Sequence, residues 1–228
     1  MQLLTGLDST FAKYFSRDAA DCLEPLSVEN VHGDPKFAMH YIYRYLILVL
    51  WVVWVLYWKL AAINVKLTTR RESIRSRITH IAPLVAAFLL LSWPDEWGSI
   101  LFQTFLPQSY LTFWTGTALV VMGLGFTVWA RLVLGRNWSG TVTIKKDHEL
   151  VQAGPYRWVR HPIYTGLLLA FFGTALALGE WRGLLACCLA LAAFVIKLRI
   201  EERWMTELFG PAYLHYQKRV RRLVPLVW

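Results

Sequence analysis

GPYRWVRHPIYTG, residues Gly154 to Gly166, decides how the rest of the chain is to be read. Pro155 and Pro162 each lack a backbone donor and disfavour helix in the residue before them, so the stretch is a shaped connector that starts a helix near Pro162. Arg160 and His161 then stand at a helix N-terminus. The unpaired backbone N–H groups of such an end favour an anionic or strongly polar ligand.

The chain around this stretch has 228 residues, 56% of them hydrophobic and 17% charged, with 12 tryptophans. Its apolar residues come in long blocks, which is the composition of a multi-span membrane protein and not of a soluble domain. A formal net charge of +9 raises nucleic acid as a partner. The basic residues gather beside apolar segments, however, which suits anchoring on anionic headgroups and argues against nucleic-acid binding. Cys22, Cys187 and Cys188 are too few and too badly spaced for a disulfide framework or a zinc site. The six histidines are scattered with no His-x-x-x-His pair, so no metal is expected, and phosphate-loop and dinucleotide-binding fingerprints are missing.

Working outward from the stretch, Ile163 to Leu178 and Gly183 to Ile196 are apolar runs of 16 and 14 residues joined by GEWR, the spacing of a hairpin. At 1.5 Å per residue each run gives only about 21 to 24 Å of helix, short for a bilayer core. Three earlier spans are expected at His40–Ile63, Ile78–Trp93 and Tyr110–Leu134, the last with Gly116, Gly123 and Gly125 to permit close helix approach. Residues 1–39 read as an extramembrane segment and 40–134 as three transmembrane helices. The connecting loops Asn64–Arg77 and Gly135–Arg160 and the tail Lys197–Trp228 are basic, whereas the N-terminal segment and Pro94–Ser109 are acidic on balance. By the positive-inside rule the N-terminus is expected outside, and the C-terminus and the organising stretch on the cytoplasmic face. In a bacterium this would be the inner membrane.

Residues 138–225 carry an ordered set of motifs: HELV at 148–151, GPY at 154–156, RHPIY at 160–164, the Glu201-Glu202 pair and FGPAY at 209–213. In this order they resemble the isoprenylcysteine carboxyl methyltransferase family of integral-membrane enzymes that use S-adenosylmethionine. The resemblance implies an all-α integral membrane fold of five transmembrane helices, the last two a short hairpin. It also implies that residues 135–228 are a methyltransferase core whose cytoplasmic loop and C-terminal tail form the cofactor site. His148, Glu149, Leu150 and Val151 match the family's cofactor-contacting run, Tyr156 its following tyrosine, and His161, Pro162, Ile163 and Tyr164 its RHPxY run. Counting back from FGPAY, Glu201 falls on a cofactor position and Lys197 on a basic position implicated in holding the substrate.

Those residue types suit that donor. S-adenosylmethionine offers a flat adenine for an aromatic or imidazole ring, ribose hydroxyls for a carboxylate, a carboxylate for helix-end N–H groups, and a sulfonium favoured by an electron-rich ring face. On this reading Lys197 and Arg160 are the candidates to hold an acceptor carboxylate, with Glu202 orienting one of them. The expected reaction is carboxyl O-methylation of a lipophilic, isoprenoid or prenylcysteine-like molecule arriving from the bilayer. The same architecture serves phospholipid N-methyltransferases, thiol S-methyltransferases and NADPH-dependent sterol reductases, and a non-catalytic membrane protein on this fold is a further alternative.

Overall fold

The computed structural model describes residues 35–63, 65–92, 100–107, 109–138, 142–145 and 149–224, with side chains from residue 45 onward except at 144 and 145. His148, Cys22, Asp95 and nearly all of the N-terminal segment lie outside the described residues. Among the described residues there are six α-helices: α1 (Pro35–Ala61), α2 (Ile74–Ser92), α3 (Tyr110–Leu134), α4 (Pro162–Leu178), α5 (Trp181–Phe209) and α6 (Pro211–Arg219). Among the described residues three helical segments are long and apolar enough to cross a membrane, Ile74–Ser92, Tyr110–Asn137 and Trp181–Phe209, and two shorter apolar helices, Tyr45–Ala61 and Pro162–Leu178, accompany them. Large apolar side chains such as Val52, Leu56, Leu89, Val121 and Phe172 are exposed on the outer faces of the bundle, as a lipid-facing surface requires. The chain is a multi-pass membrane protein.

Local signals place the helix ends. Ser109 caps α3 through a capping box in which its side chain accepts from the Thr112 N–H and the Thr112 side chain accepts from the Ser109 N–H, satisfying two otherwise orphaned donors. α4 begins with Pro162 at its first position and ends at Gly179, whose φ of 65° is left-handed, a conformation glycine adopts without steric cost. Pro211 then starts α6 directly after Gly210.

The expected short hairpin needs correction in its second arm. α4 has 17 residues, but α5 has 29 and runs thirteen residues beyond the apolar stretch that ends at Ile196. That is about 43 Å of helix. Lys197 to Phe209 consists largely of straight-chain helix formers with no glycine or proline, so nothing stops the helix before Gly210. The candidate site pair Glu201 and Glu202 therefore sits inside a rigid helix. The all-α expectation is also amended by a small antiparallel sheet of β1 (Thr68–Arg71) and β2 (Thr143–Lys145), which pairs Arg70 with Ile144 and Arg71 with Thr143. The two basic loops are thus joined at one end of the bundle.

α4 lies at the centre, packed most extensively against α3 and also against α5, which in turn packs on α2. A seam of small residues makes the α3–α4 contact possible. A Cβ added at Gly116 would stand 2.5 Å from the Gly173 carbonyl oxygen, and one at Gly123 would stand 2.5 Å from that of Gly166. Gly125, also expected in the seam, faces open space. Two indole N–H groups cross the bundle to threonines, Trp54 to Thr127 at 2.7 Å and Trp51 to Thr174 at 3.1 Å.

Candidate functional site

At the end of the bundle that carries the two-stranded sheet, a cavity of about 300 Å³ opens between the helices. Each of the five long helices gives it at least one wall residue: Trp54 and Trp58 from α1, Leu84 from α2, Leu134 from α3, Tyr164 and Leu167 from α4, and Phe194 from α5. Its other half is built from the connector between α3 and α4. Glu149, Leu150 and Val151 line it, as do Tyr156 and the run Arg160–His161–Pro162–Ile163. Lys197 and Glu201, one helical turn apart on α5, complete the charged wall. Every described candidate except Glu202 meets in this one cavity. Glu149 is at the solvent side, paired with Lys66 at 3.2 Å.

Three rings run side by side through the middle. His161 stacks on Tyr164 with centroids 5.5 Å apart and an interplanar angle of 11°, and Tyr164 stacks on Phe194 at 5.0 Å and 10°. The Tyr164 hydroxyl donates to Glu201 Oε1 at 2.6 Å, His161 Nδ1 lies 3.6 Å from Glu201 Oε2, and the Lys197 ammonium is 5.4 Å from the Tyr164 ring centroid. One carboxylate, one imidazole and one ammonium are therefore disposed around an electron-rich ring.

Glu202 faces the other way and is the hub of the C-terminal tail. Its Oε1 accepts from Arg160 Nε at 2.9 Å and Nη2 at 2.6 Å and lies 3.3 Å from His161 Nε2, while its Oε2 accepts from Arg222 Nε at 3.0 Å. Arg160 also donates through Nη1 to the carbonyls of Gln217 and Val220. Most of the Arg160 guanidinium is thus committed to the tail. The backbone continues the fastening: the N–H groups of Arg160 and His161 donate to the carbonyls of Arg221 and Arg222 at 2.7 and 3.0 Å. The helix-end donors expected to meet a ligand at these two residues are consumed by the tail instead.

Tyr213 and Tyr216 of α6 roof the cavity, and Tyr216 donates its hydroxyl to the Tyr156 carbonyl at 2.6 Å. Burial pushes the Tyr156, Tyr213 and Tyr216 hydroxyls well above their usual range, so all three remain neutral donors. Glu72 does not line the cavity but backs the wall residue Val142. Its Oε1 accepts from the Val142 N–H at 3.2 Å, both oxygens lie 3.1 Å from His80 Nε2, and Ser76 donates to Oε2 at 3.0 Å. Burial works to raise this carboxyl, but the bonds from His80, Val142 and Ser76 outweigh it and hold it below the usual carboxylate range.

Sequence reasoning missed Trp54, Trp58, Asn137, Trp138, Thr143, Phe194 and the roof tyrosines. The tryptophans read as ordinary bilayer residues. For Asn137 and Thr143 nothing in spacing singles them out, yet both line the cavity, both are over nine-tenths buried, and Asn137 Oδ1 and Thr143 Oγ1 have no hydrogen-bond partner among the described residues. Among the described residues no group of three or more His, Cys, Asp or Glu side chains is arranged to hold a metal.

Residues 111–212 match the family model described as phospholipid methyltransferase. The chain is similar to the protein-S-isoprenylcysteine O-methyltransferase of Schizosaccharomyces pombe, 36% identical over 43% of this chain and 43% of that protein. Its counterpart in Saccharomyces cerevisiae is 33% identical over 49% of this chain and 48% of that protein. Protein-S-isoprenylcysteine O-methyltransferase B of Arabidopsis thaliana is 28% identical over 62% of this chain and 74% of that protein. The chain spans about half the length of the two yeast relatives. Among solved structures, the eukaryotic intramembrane Ras methyltransferase aligns over 99% of this chain and 95% of that one, with a TM-score of 0.45 and 19% identity. The resemblance to the isoprenylcysteine carboxyl methyltransferase family, expected from the motif order, is borne out.

Proposed function

We propose, taking that similarity as the premise, that the chain is a membrane-embedded, S-adenosylmethionine-dependent methyltransferase that methylates the carboxylate of a lipophilic, prenylcysteine-like acceptor. The observation that carries this reading is the cavity itself, which joins a charged half, with Glu201, His161 and Lys197, to an apolar half walled by Trp54, Leu84, Leu167 and Phe194. A polar donor and a lipid-like acceptor need those two environments in contact. The residues present fit the donor. Glu149 to Val151, Tyr156, His161 to Tyr164 and Glu201 would hold it, and the partnerless Asn137 and Thr143 atoms are groups a polar ligand would satisfy. We extend the assignment to His148, between β2 and Glu149, by the motif alone.

When bound, the donor supplies an electrophilic methyl group on a sulfonium. The chain's own work is to orient and to exclude water. Lys197 holds the acceptor carboxylate, which is ionised at neutral pH and needs no base; a cation there disfavours an amine acceptor such as a phospholipid headgroup. Arg160 lines the cavity close to that position, but Glu202 and the tail carbonyls hold most of its donors, so Glu202 is a positioning residue that fixes the Arg160 side chain. Tyr164 fixes the Glu201 carboxylate through its hydroxyl, and the roof of α6 with the tail keeps bulk water out.

In the membrane, we propose five crossings, with α1 and α4 joining the three longer segments. The N-terminus lies outside, and the C-terminus and cavity mouth lie on the cytoplasmic side; residues 1–39, 40–134 and 135–228 act as cap, scaffold and methyltransferase core. Support comes from the basic loops, which meet in the β1–β2 sheet. The test is transfer of labelled methyl from S-adenosylmethionine to an S-prenylated cysteine by the purified protein. A base-labile methyl ester is expected, with turnover reduced about ten-fold or more in Lys197→Glu. No transfer to the prenylcysteine carboxylate, with label appearing instead in the S-methyl thioether of a free lipophilic thiol or in a methylated amine, would refute the carboxylate assignment.

A further inference from the structure

We propose that Asn137 and Thr143 are the residues that read the adenine of the methyl donor, so that donor selectivity is set from the α3–β2 connection as well as from the recognised motifs. This rests on the donor reading above. Asn137 closes the short 3-10 turn Gly135–Asn137 that follows α3, and Thr143 opens β2. Both are 8% exposed, both line the cavity, and Asn137 Oδ1 and Thr143 Oγ1 are buried without partners among the described residues. A buried polar atom without a partner costs free energy, so two on residues that line one cavity mark a place where a ligand's polar atoms belong.

The surroundings select which polar atoms. The groups able to meet formal charge, Glu201, His161 and Lys197, gather around Tyr164. Trp138 and Val142, next to Asn137 and Thr143 in the chain, also line the cavity and present an indole and an aliphatic side chain. A flat, uncharged heteroaromatic ring with one amino group suits that wall. The amino acid portion and the sulfonium suit the charged one. An amide oxygen accepts from an exocyclic amine, and a hydroxyl can either donate to a ring nitrogen or accept from a ring N–H. Asn137 is therefore assigned to the 6-amino group and Thr143 to a ring nitrogen. The wall is held in register by Glu72, whose carboxylate and N–H bond the N–H and carbonyl of Val142, next to Thr143.

The assignment makes different demands on the two residues. Asn137 should discriminate between an amine and a carbonyl at the 6 position, whereas a hydroxyl that can reverse its role should not. Calorimetric titration of the full-length protein in detergent would compare S-adenosylhomocysteine with S-inosylhomocysteine, in which a carbonyl replaces the 6-amino group. The wild type should prefer the adenine compound by about ten-fold or more. Asn137→Ala should lose that preference by weakening the adenine compound while leaving the other within about two-fold, and Thr143→Val should weaken both by about three- to ten-fold. Equal loss for both ligands in Asn137→Ala, or no loss, overturns the proposal. Equal binding of the two by the wild type also overturns it while the donor reading stands, and that comparison needs no variant to fold. If the wild type binds neither ligand, the donor reading fails first and this inference with it.

Discussion

Glu201 and Glu202 are adjacent in sequence and do opposite things, because successive residues of a helix point about 100° apart. Glu201 turns into the cavity and meets Tyr164; Glu202 turns to the tail and meets Arg160 and Arg222. Tyr164→Phe isolates the first of these roles, since it keeps the ring between His161 and Phe194 and deletes only the hydroxyl on Glu201. Affinity for S-adenosylhomocysteine should fall about ten-fold, the cost of a hydrogen bond to a charged group, with the thermal midpoint changed little. Calorimetry and a melting curve on the same sample check both halves. A second residue-scale expectation concerns Glu72, whose carboxyl is depressed below its usual range. A depressed folded-state value means that its stabilisation is complete above the usual carboxylate titration and is lost as pH falls through that range toward the folded value. Wild type should therefore out-melt Glu72→Gln at neutral pH, and the gap should shrink between pH 5 and pH 3.

At the scale of elements, the α3–α4 seam and the tail strap carry the clearest expectations. Gly123→Val places side-chain atoms where the Gly166 carbonyl already lies 2.5 Å from the Cβ position, and backbone on both sides cannot give way cheaply. Overpacking of this kind costs about 1 to 3 kcal/mol or more. Gly125→Ala, which meets nothing within 4 Å, is the control and should melt like wild type. The strap is tested by Glu202→Gln. Loss of one buried partner leaves Arg160 uncompensated, a cost of about 3 to 5 kcal/mol where the group is fully enclosed. The residues after Tyr216 should become sensitive to limited proteolysis well before the bundle does. The small residues of the seam were legible as helix-packing positions, although which glycines face the partner was not: the helix phase that selects Gly116 and Gly123 over Gly125 depends on where α4 lies. The length of α5 was legible in principle from its run of helix formers up to Gly210 and was masked by the drop in hydrophobicity at Lys197.

For the whole molecule, the β1–β2 sheet and the turn between α4 and α5 mark opposite ends of the bundle. Thr104 bridges to Glu180, and the Phe105 N–H donates to the Gly179 carbonyl at 2.9 Å, away from the end where Arg70 pairs with Ile144. Single cysteines at Arg71 and Glu149 should therefore react with an impermeant label from the cytoplasmic side in oriented vesicles, and a cysteine at Thr104 from the outside. Reaction of all three from one face would overturn the five-span arrangement.

The membrane class, the approximate helix positions and the ordered family motifs are properties of the sequence by itself, because apolar block length, proline and glycine punctuation and charge placement all act over short stretches of chain. HELV, GPY and RHPIY are legible for the same reason: each is a run of neighbours whose described members contribute to one cavity. What only the tertiary structure decided is the division of labour among those residues. Arg160 reads as a ligand-facing cation until the tail returns to claim it, Glu202 as a twin of Glu201 until helix phase separates them, and Trp54 as a bilayer residue until α1 is set against α3. Asn137 and Thr143 are the furthest case, since an unpaired buried polar atom exists only after packing has removed water and every other partner.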